Sequence, residues 1–179
     1  TGMVRLARTV HGAQGPALVA GVAYALSGFF AGHTMHFYSI ISAAWLPWLI
    51  EAQLRLLRAP HWRPALSAAV FQSFLLTGGN HTFSILAAYL LLALFVVHAV
   101  RRLRNGETKV TKRLLLLEGL FVLATVAMSC GTFYAAWEVM PYLDRARGLD
   151  LATASGGAFT WRACGSFLLP FTSGPDPSI

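Results

Sequence analysis

Residues 81–100, "HTFSILAAYLLLALFVVHAV", run for twenty positions without an Asp, Glu, Lys or Arg. In a helix such a run covers the ~30 Å hydrocarbon core of a bilayer. A water-facing surface helix would need a polar face, and this segment has none. The rest of the chain repeats the pattern. Apolar stretches fall at 16–31, 37–57, 62–76 and 114–140, and short basic clusters separate them. The 62–76 stretch is the shortest and carries Ser67, Gln72 and Ser73, so a tilted or partly re-entrant helix is expected there.

Composition agrees. Charged residues make up 12% of the 179 positions and hydrophobic ones 56%, whereas an ordinary soluble domain carries about 25% charged residues. The missing polar surface implies a solvent other than water, and lipid is the simple candidate. The net charge of +7 does not point to nucleic acid, because the basic residues form clusters beside apolar runs instead of a stripe interleaved with aromatics. The expected fold is all-α: a polytopic transmembrane bundle of about five spans over residues 1–140. Residues 141–179, rich in Gly, Ser, Thr and Pro, then form an extracytoplasmic loop with a short interfacial helix near 161–169.

Charge orients the spans. Arg5 and Arg8 precede the first span, and Arg55, Arg58 and Arg63 follow the second. Arg101, Arg102, Arg104, Lys109, Lys112 and Arg113 lie between the fourth and fifth. These are 11 of the 14 basic residues, all on one expected side, while the loops at 32–36 and 77–80 hold no Lys or Arg. The positive-inside rule then places the N-terminus in the cytoplasm and everything beyond Met140 outside. A basic start followed by an apolar run also suits a signal peptide, but no small-residue cleavage site follows and further spans do.

Within the spans, Gly28 and Gly32 form G-x-x-x-G, and Ala17, Gly21 and Ala25 continue small residues at four-residue spacing. Such a stripe permits close helix approach, though membrane helices are rich in Gly and Ala in any case. Pro47 is expected to kink the second span, with Trp45 and Trp48 packing around the kink. Glu51 and Glu118 fall near basic loops and are expected to reach Arg or water. Cys130 is expected to be a buried free thiol, and with Cys164 in a polar tail a disulfide framework is not indicated.

Residues that suit chemistry fall on the expected outer side. His33 and His36 have H-x-x-H spacing, which is too few nitrogens for a metal site by themselves. Asn80 and His81 occupy the second outer loop, in a sequon too close to the membrane to be glycosylated. Glu138 lies near the outer end of the fifth span, and Asp144, Arg145, Arg147 and Asp150 form a charge cluster just after it. The planar guanidinium fork suits phosphate, so a lipid-phosphate headgroup is a sensible ligand for that cluster; a solvated salt-bridged turn is the plain alternative. No nucleotide-binding loop, nucleophile elbow or zinc-protease motif occurs.

"ALSGFFAGHTMHFYSIISAAWLPWLIEAQLRLLR", "TGGNHTFSILAAYLLL", "WEVMPYLDRARG" and "FLLPFTSG" follow one another in an order that resembles the YfhO-like bacterial membrane proteins. That family is similar to the GT-C glycosyltransferases, polytopic proteins that take sugars from polyprenyl-phosphate donors on the outer face. The resemblance implies a bacterial inner membrane protein with Arg147 or Arg145 at the family's Arg-Gly position, and it leaves the cofactor open, a divalent metal in the full-length enzyme being one option. Such a transferase carries an acidic residue in its first outer loop, and 32–36 has none. The missing acid is expected in sequence before Thr1, leaving this segment inactive alone. The other reading is a transporter, flippase or assembly protein that holds a lipid-linked substrate without chemistry.

Overall fold

The computed structural model describes residues 2–32 and 35–142. Among them there are seven α-helices and no strand: α1 Gly2–His11, α2 Gln14–Ala25, α3 Gly28–Gly32, α4 Phe37–Arg58, α5 Trp62–Thr77, α6 His81–Arg104 and α7 Thr108–Val139. A 3-10 turn, Met140–Tyr142, follows α7. The chain divides into two units at Ala135. The first carries the packed helices. Of the second, the described part is the last turn of α7 and the 3-10 turn.

Helices α4, α6 and α7 are long and apolar enough to cross a membrane. At 1.5 Å per residue the 32 residues of α7 extend roughly 48 Å, which exceeds the ~30 Å core and leaves its first turns, with Lys109, Lys112 and Arg113, room to lie beyond it. α5 has 16 residues, roughly 24 Å, and is short, as the sequence suggests. The first expected span is not one helix. Its apolar run breaks at Leu26 and Ser27, where Leu26 N–H donates to Val22 O and Ser27 N–H donates to Tyr24 O. Two further bounds move: α6 continues through Arg101, Arg102 and Arg104, and α7 begins at Thr108. The helix α1 over Arg5 and Arg8 was not expected at all; those residues are helical, not loop.

Local chemistry sets the ends. α1 stops where Gly12 takes φ 74° and donates its N–H to Arg8 O. α6 starts at Asn80, whose side chain accepts from Thr82 N–H at 3.2 Å. It ends in a Schellman turn: Gly106, at φ 78°, donates to Leu103 O while Glu107 N–H donates to Arg102 O.

The core lies along α4 and α5, with α6 and α7 contributing one face each. Ala65, Ala68 and Ala69 are fully buried on α5 and let it lie close against Leu49, Ala52 and Leu56 of α4. Pro47 sits inside a continuous α4 and lacks the N–H that would bond the carbonyl of Ala43. Tyr24 of α2 supplies the replacement, its hydroxyl donating to Ala43 O at 2.7 Å. The proline thus creates the acceptor that ties α2 to α4. The expected small-residue stripe is used only in part: Ala17 and Gly21 are buried, while Gly28 and Gly32 have open space where a Cβ would stand.

On α6, the buried Ser84, Ala87 and Leu91 mark one helical face, and Ile85, Leu86, Tyr89, Leu90 and Leu92 stand exposed around the rest. On α7, Leu114, Phe121, Thr125 and Ser129 are buried and Leu115, Leu116, Val122, Leu123 and Val126 are exposed. Cys130 belongs to the exposed surface of α7, contrary to the buried thiol expected. The side chains are arranged so that the greasiest faces look outward. That is the arrangement lipid requires and water forbids.

Candidate functional site

Two ends of the first unit differ in chemistry. At one, the start of α4 meets the start of α6, where Asn80 donates from Nδ2 to Ser39 Oγ at 2.8 Å. Both halves of the Asn80 amide are therefore committed to structure, one as the α6 cap and one as this tie. Gly79, at φ 91°, lets the turn before it pass Tyr38, and a Cβ there would stand 3.3 Å from the tyrosine Cβ. His36 precedes α4 with its ring edge-on to Tyr38, centroids 5.7 Å apart. His81 opens α6 and is exposed. His33 lies outside the described residues, as do Asp144, Arg145, Arg147 and the 161–169 segment. Glu138 is exposed on the last turn of α7, in the second unit. Of the eight candidates, the structure thus brings Asn80 to Ser39 and His36 to Tyr38. Among the described residues no three His, Cys, Asp or Glu side chains gather as a metal site would need.

The other end is built from arginine, and its organisation does not emerge when these residues are read as topology signals alone. α1 lies along α4, with Gly2 against the Trp48 indole and the Thr9 carbonyl accepting from Arg58 Nη1 at 2.6 Å. That alignment places Arg5 over the Trp48 ring, 4.8 Å from its centroid, and 3.6 Å from Glu51. Arg55, one turn on from Glu51, pairs with the same carboxylate oxygen. Glu51 is 3% exposed, and its two partners are about half exposed. A carboxylate so placed is compensated by two flanking guanidinium groups and holds both in position.

Arg102 of α6 closes this end. Its Nη2 donates to Leu57 O at 2.7 Å and to Arg58 O at 3.3 Å, satisfying carbonyls that the end of α4 leaves open. Its Nη1 pairs with Glu107 at 3.0 Å. The three basic clusters of the sequence therefore meet in space. The spacing Glu51, Arg55, Arg58 is the signal the sequence offers, since residues three and four apart share a helix face.

A cavity of about 650 Å³ opens between α1, α4 and α5 at this end. Four arginines line it, Arg5, Arg55, Arg58 and Arg63, together with one carboxylate, Glu51. Its inner wall is apolar, with Trp48 and Phe71 in contact at 5.6 Å between centroids. A neighbouring hollow of about 350 Å³ shares Arg5 and Arg55 and adds Arg8. The tryptophans act in packing, as expected. Trp45 stacks on Phe71 at 6.0 Å and packs on Phe74 at 4.7 Å.

Glu118 behaves otherwise than its neighbourhood in sequence suggests. It accepts from Gln53 Nε2 at 2.5 Å, and not from an arginine. With Gln72 it is a polar point in a crevice of about 730 Å³ lined by Leu91, Phe95, Phe121 and Val126. Compared with known proteins, the chain matches no family model, no curated protein and no solved structure.

Proposed function

We propose that this chain is a five-crossing segment of a multi-pass membrane protein, with its arginine-rich end cytoplasmic. The opposite, uncharged end and the residues after Met140 then face outward. There the segment contributes to the handling of a lipid-phosphate-linked sugar, as in the GT-C-type transferases it resembles. The observation that supports this most directly is the segregation of charge. Arginines from three separate sequence clusters converge at one end, while the loop that joins α5 to α6 carries none. Charge of one sign collected at one end of apolar helices is what the positive-inside rule produces. α2 with α3, and α5, supply the two short crossings.

Cysteines introduced one at a time test the orientation. In intact cells an impermeant reagent is expected to label Met35→Cys and Gly148→Cys and to leave Asn105→Cys untouched. Labelling at 105 overturns the orientation. The transfer reaction is tested with the full-length protein and a polyprenyl-phosphate sugar. Arg147→Ala is expected to lower turnover; unchanged turnover removes Arg147 from the site, and failure to bind the donor removes the transferase reading.

A second reading, a carrier or assembly protein that holds the lipid-linked substrate without reacting it, draws on one specific observation. Asn80, a candidate on the outer rim, spends its side chain on the helix cap and on Ser39. Donor binding without turnover in the same assay selects this reading.

A further inference from the structure

We propose that the arginine-lined cavity between α1, α4 and α5 binds the phosphate headgroup of an anionic membrane lipid. In this arrangement the lipid's glycerol and upper acyl chain lie against Trp48 and Phe71. The inference concerns the arginine-rich end of the first unit and does not depend on the proposed sugar handling.

Charge is the first argument. Four arginines face one carboxylate around the cavity, and Arg8 stands by the adjoining hollow. Glu51 sits beneath the arginines at 3% exposure, paired with Arg5 and Arg55, so its charge is already engaged. An excess of guanidinium remains, and close like charges repel unless an anion joins them. Arginine presents five N–H donors in a rigid fork matched to phosphate oxygens. The forks are also positioned in advance: Arg5 by Glu51 and Trp48, Arg55 by Glu51, Arg58 by the Thr9 carbonyl, and Arg63 over the Trp62 ring at 5.5 Å. Preorganised donors lose little entropy on binding.

Shape then selects a lipid over a free anion. Trp48 stands ten residues before Arg58 on α4, roughly 15 Å along the axis. Phe71 stands nine residues into α5 from Trp62, roughly 14 Å. The cavity thus runs from the helix ends, where headgroups lie, to a depth where acyl chains begin. Inorganic phosphate would satisfy the arginines and leave the aromatic wall unused. A phospholipid fills both, and about 650 Å³ is within the usual range for a small-ligand site. Basic pockets between membrane helices at the cytoplasmic side are known to hold anionic headgroups in this way.

The test uses the full-length protein in detergent, titrated with phosphatidylglycerol while its thermal unfolding midpoint is followed. Phosphatidylcholine serves as the zwitterionic control. Wild type is expected to shift upward with phosphatidylglycerol and far less with phosphatidylcholine. The double variant Arg58→Gln/Arg63→Gln, which leaves both partners of Glu51 in place, is expected to bind about 25-fold more weakly, from roughly fivefold per arginine. Arg63→Gln alone is expected to weaken binding about fivefold, and it decides the matter if the double variant does not fold. Arg101→Gln/Arg104→Gln removes equal charge outside the cavity and is expected to bind as wild type does. Equal shifts with both lipids, or an equal loss in the Arg101/Arg104 variant, overturn the site. Displacement of the lipid by millimolar inorganic phosphate overturns the choice of a lipid as its occupant.

Discussion

α4 and α6 are close in length and both long enough to cross a membrane, yet they relate to their surroundings in opposite ways. The most apolar stretch of α4 has a mean hydropathy of 1.2 and is half buried. The corresponding stretch of α6 reaches 2.4 and is 22% buried, and that of α7 reaches 2.0 and is 17% buried. The greasier helices are the ones the protein covers least. A soluble protein ranks the other way, because its apolar side chains are driven inside. Here small and polar residues share the inside with a few leucines: Ser39, Ser42, Ala43, Glu51, Ala52 and Gln53 beside Leu49, Leu56 and Leu57 on α4, and Ala65, Ala68, Ala69, Gln72 and Ser73 beside Leu75 on α5. Lipid tails solvate leucine as well as a protein interior does, so burying leucine gains little. Close backbone approach and interhelical polar bonds decide which faces meet.

The contrast is broken most readily by comparing leucines. Leu56 on α4 is fully buried and Leu116 on α7 is 75% exposed. Leu56→Ala is expected to cost about 1–3 kcal/mol, the cavity part of what such a change costs in a water-solvated core, since lipid removes the transfer part. Leu116→Ala, which exchanges one lipid contact for another, should stay within about 0.5 kcal/mol. Unfolding both variants in the same detergent gives the difference. Equal costs would mean that α7 is covered as thoroughly as α4 under the conditions of the measurement.

Small residues sharpen the same comparison in the other direction. Ala68→Leu inserts bulk into the α4–α5 seam and is expected to destabilise by about 1–3 kcal/mol. Gly131→Ala on α7, where an added Cβ meets open space, is expected to stabilise by about 0.5 kcal/mol, since alanine is the better helix former. A destabilising Gly131→Ala would show that a partner helix or another chain packs on that face of α7.

Between these comes the polar contact that crosses the two regions. Glu118→Leu leaves the Gln53 amide without its acceptor in an apolar setting, at an expected cost of about 1–3 kcal/mol. In a Gln53→Leu background the same substitution is expected to cost much less, because both polar partners are gone. An unfolding cycle over the four proteins measures the coupling. Equal costs in the two backgrounds would make the hydrogen bond energetically idle.

The positions of α4, α5, α6 and α7 were legible in the sequence because apolar run length and charge need no knowledge of contacts; α1 and the break between α2 and α3 were not. The 81–100 run, the shortness of 62–76 and the turn at Asn80 all follow from local rules. The faces were less legible. Among the described residues nothing lies within 4 Å of where a Cβ would stand on Gly28 or Gly32, which carry the spacing for close approach, whereas Ala17 and Gly21 in the same stripe are buried. Spacing states what a helix allows, and the neighbour decides. Glu118, near a basic loop, is expected to reach Arg or water; the partner the structure gives it is Gln53, 65 positions away. A buried Cys130 is the expectation because thiols usually lie inside, but on α7 the exposed surface is itself apolar and holds a thiol at no cost. At the arginine end, each cluster announced a side of the membrane. That two of the clusters would close on one cavity, with Arg102 of the third bonded beside it, required α1, whose ten residues are too short and too basic to stand out as a membrane helix.

A modest effect is expected at the site most specific to how α4 is built. Tyr24→Phe removes only a hydroxyl, the one that donates to Ala43 O at 2.7 Å. That carbonyl lacks its helical donor because residue 47 is proline. The substitution should cost about 1 kcal/mol, the usual net worth of one buried hydrogen bond. Placing it in a Pro47→Ala background changes the expectation, since the introduced alanine brings back an N–H that can bond the Ala43 carbonyl within the helix. Tyr24→Phe should then cost less than half as much, and the unfolding cycle should show positive coupling between two residues that are not themselves bonded. If the cost is unchanged, the hydroxyl's bond does not depend on the proline; if Tyr24→Phe costs nothing in either background, the tyrosine holds α2 by ring packing alone. If it falls as expected, the proline is what makes α4 receptive to α2, a role for a helix-breaking residue that its position in a hydropathy plot would never suggest.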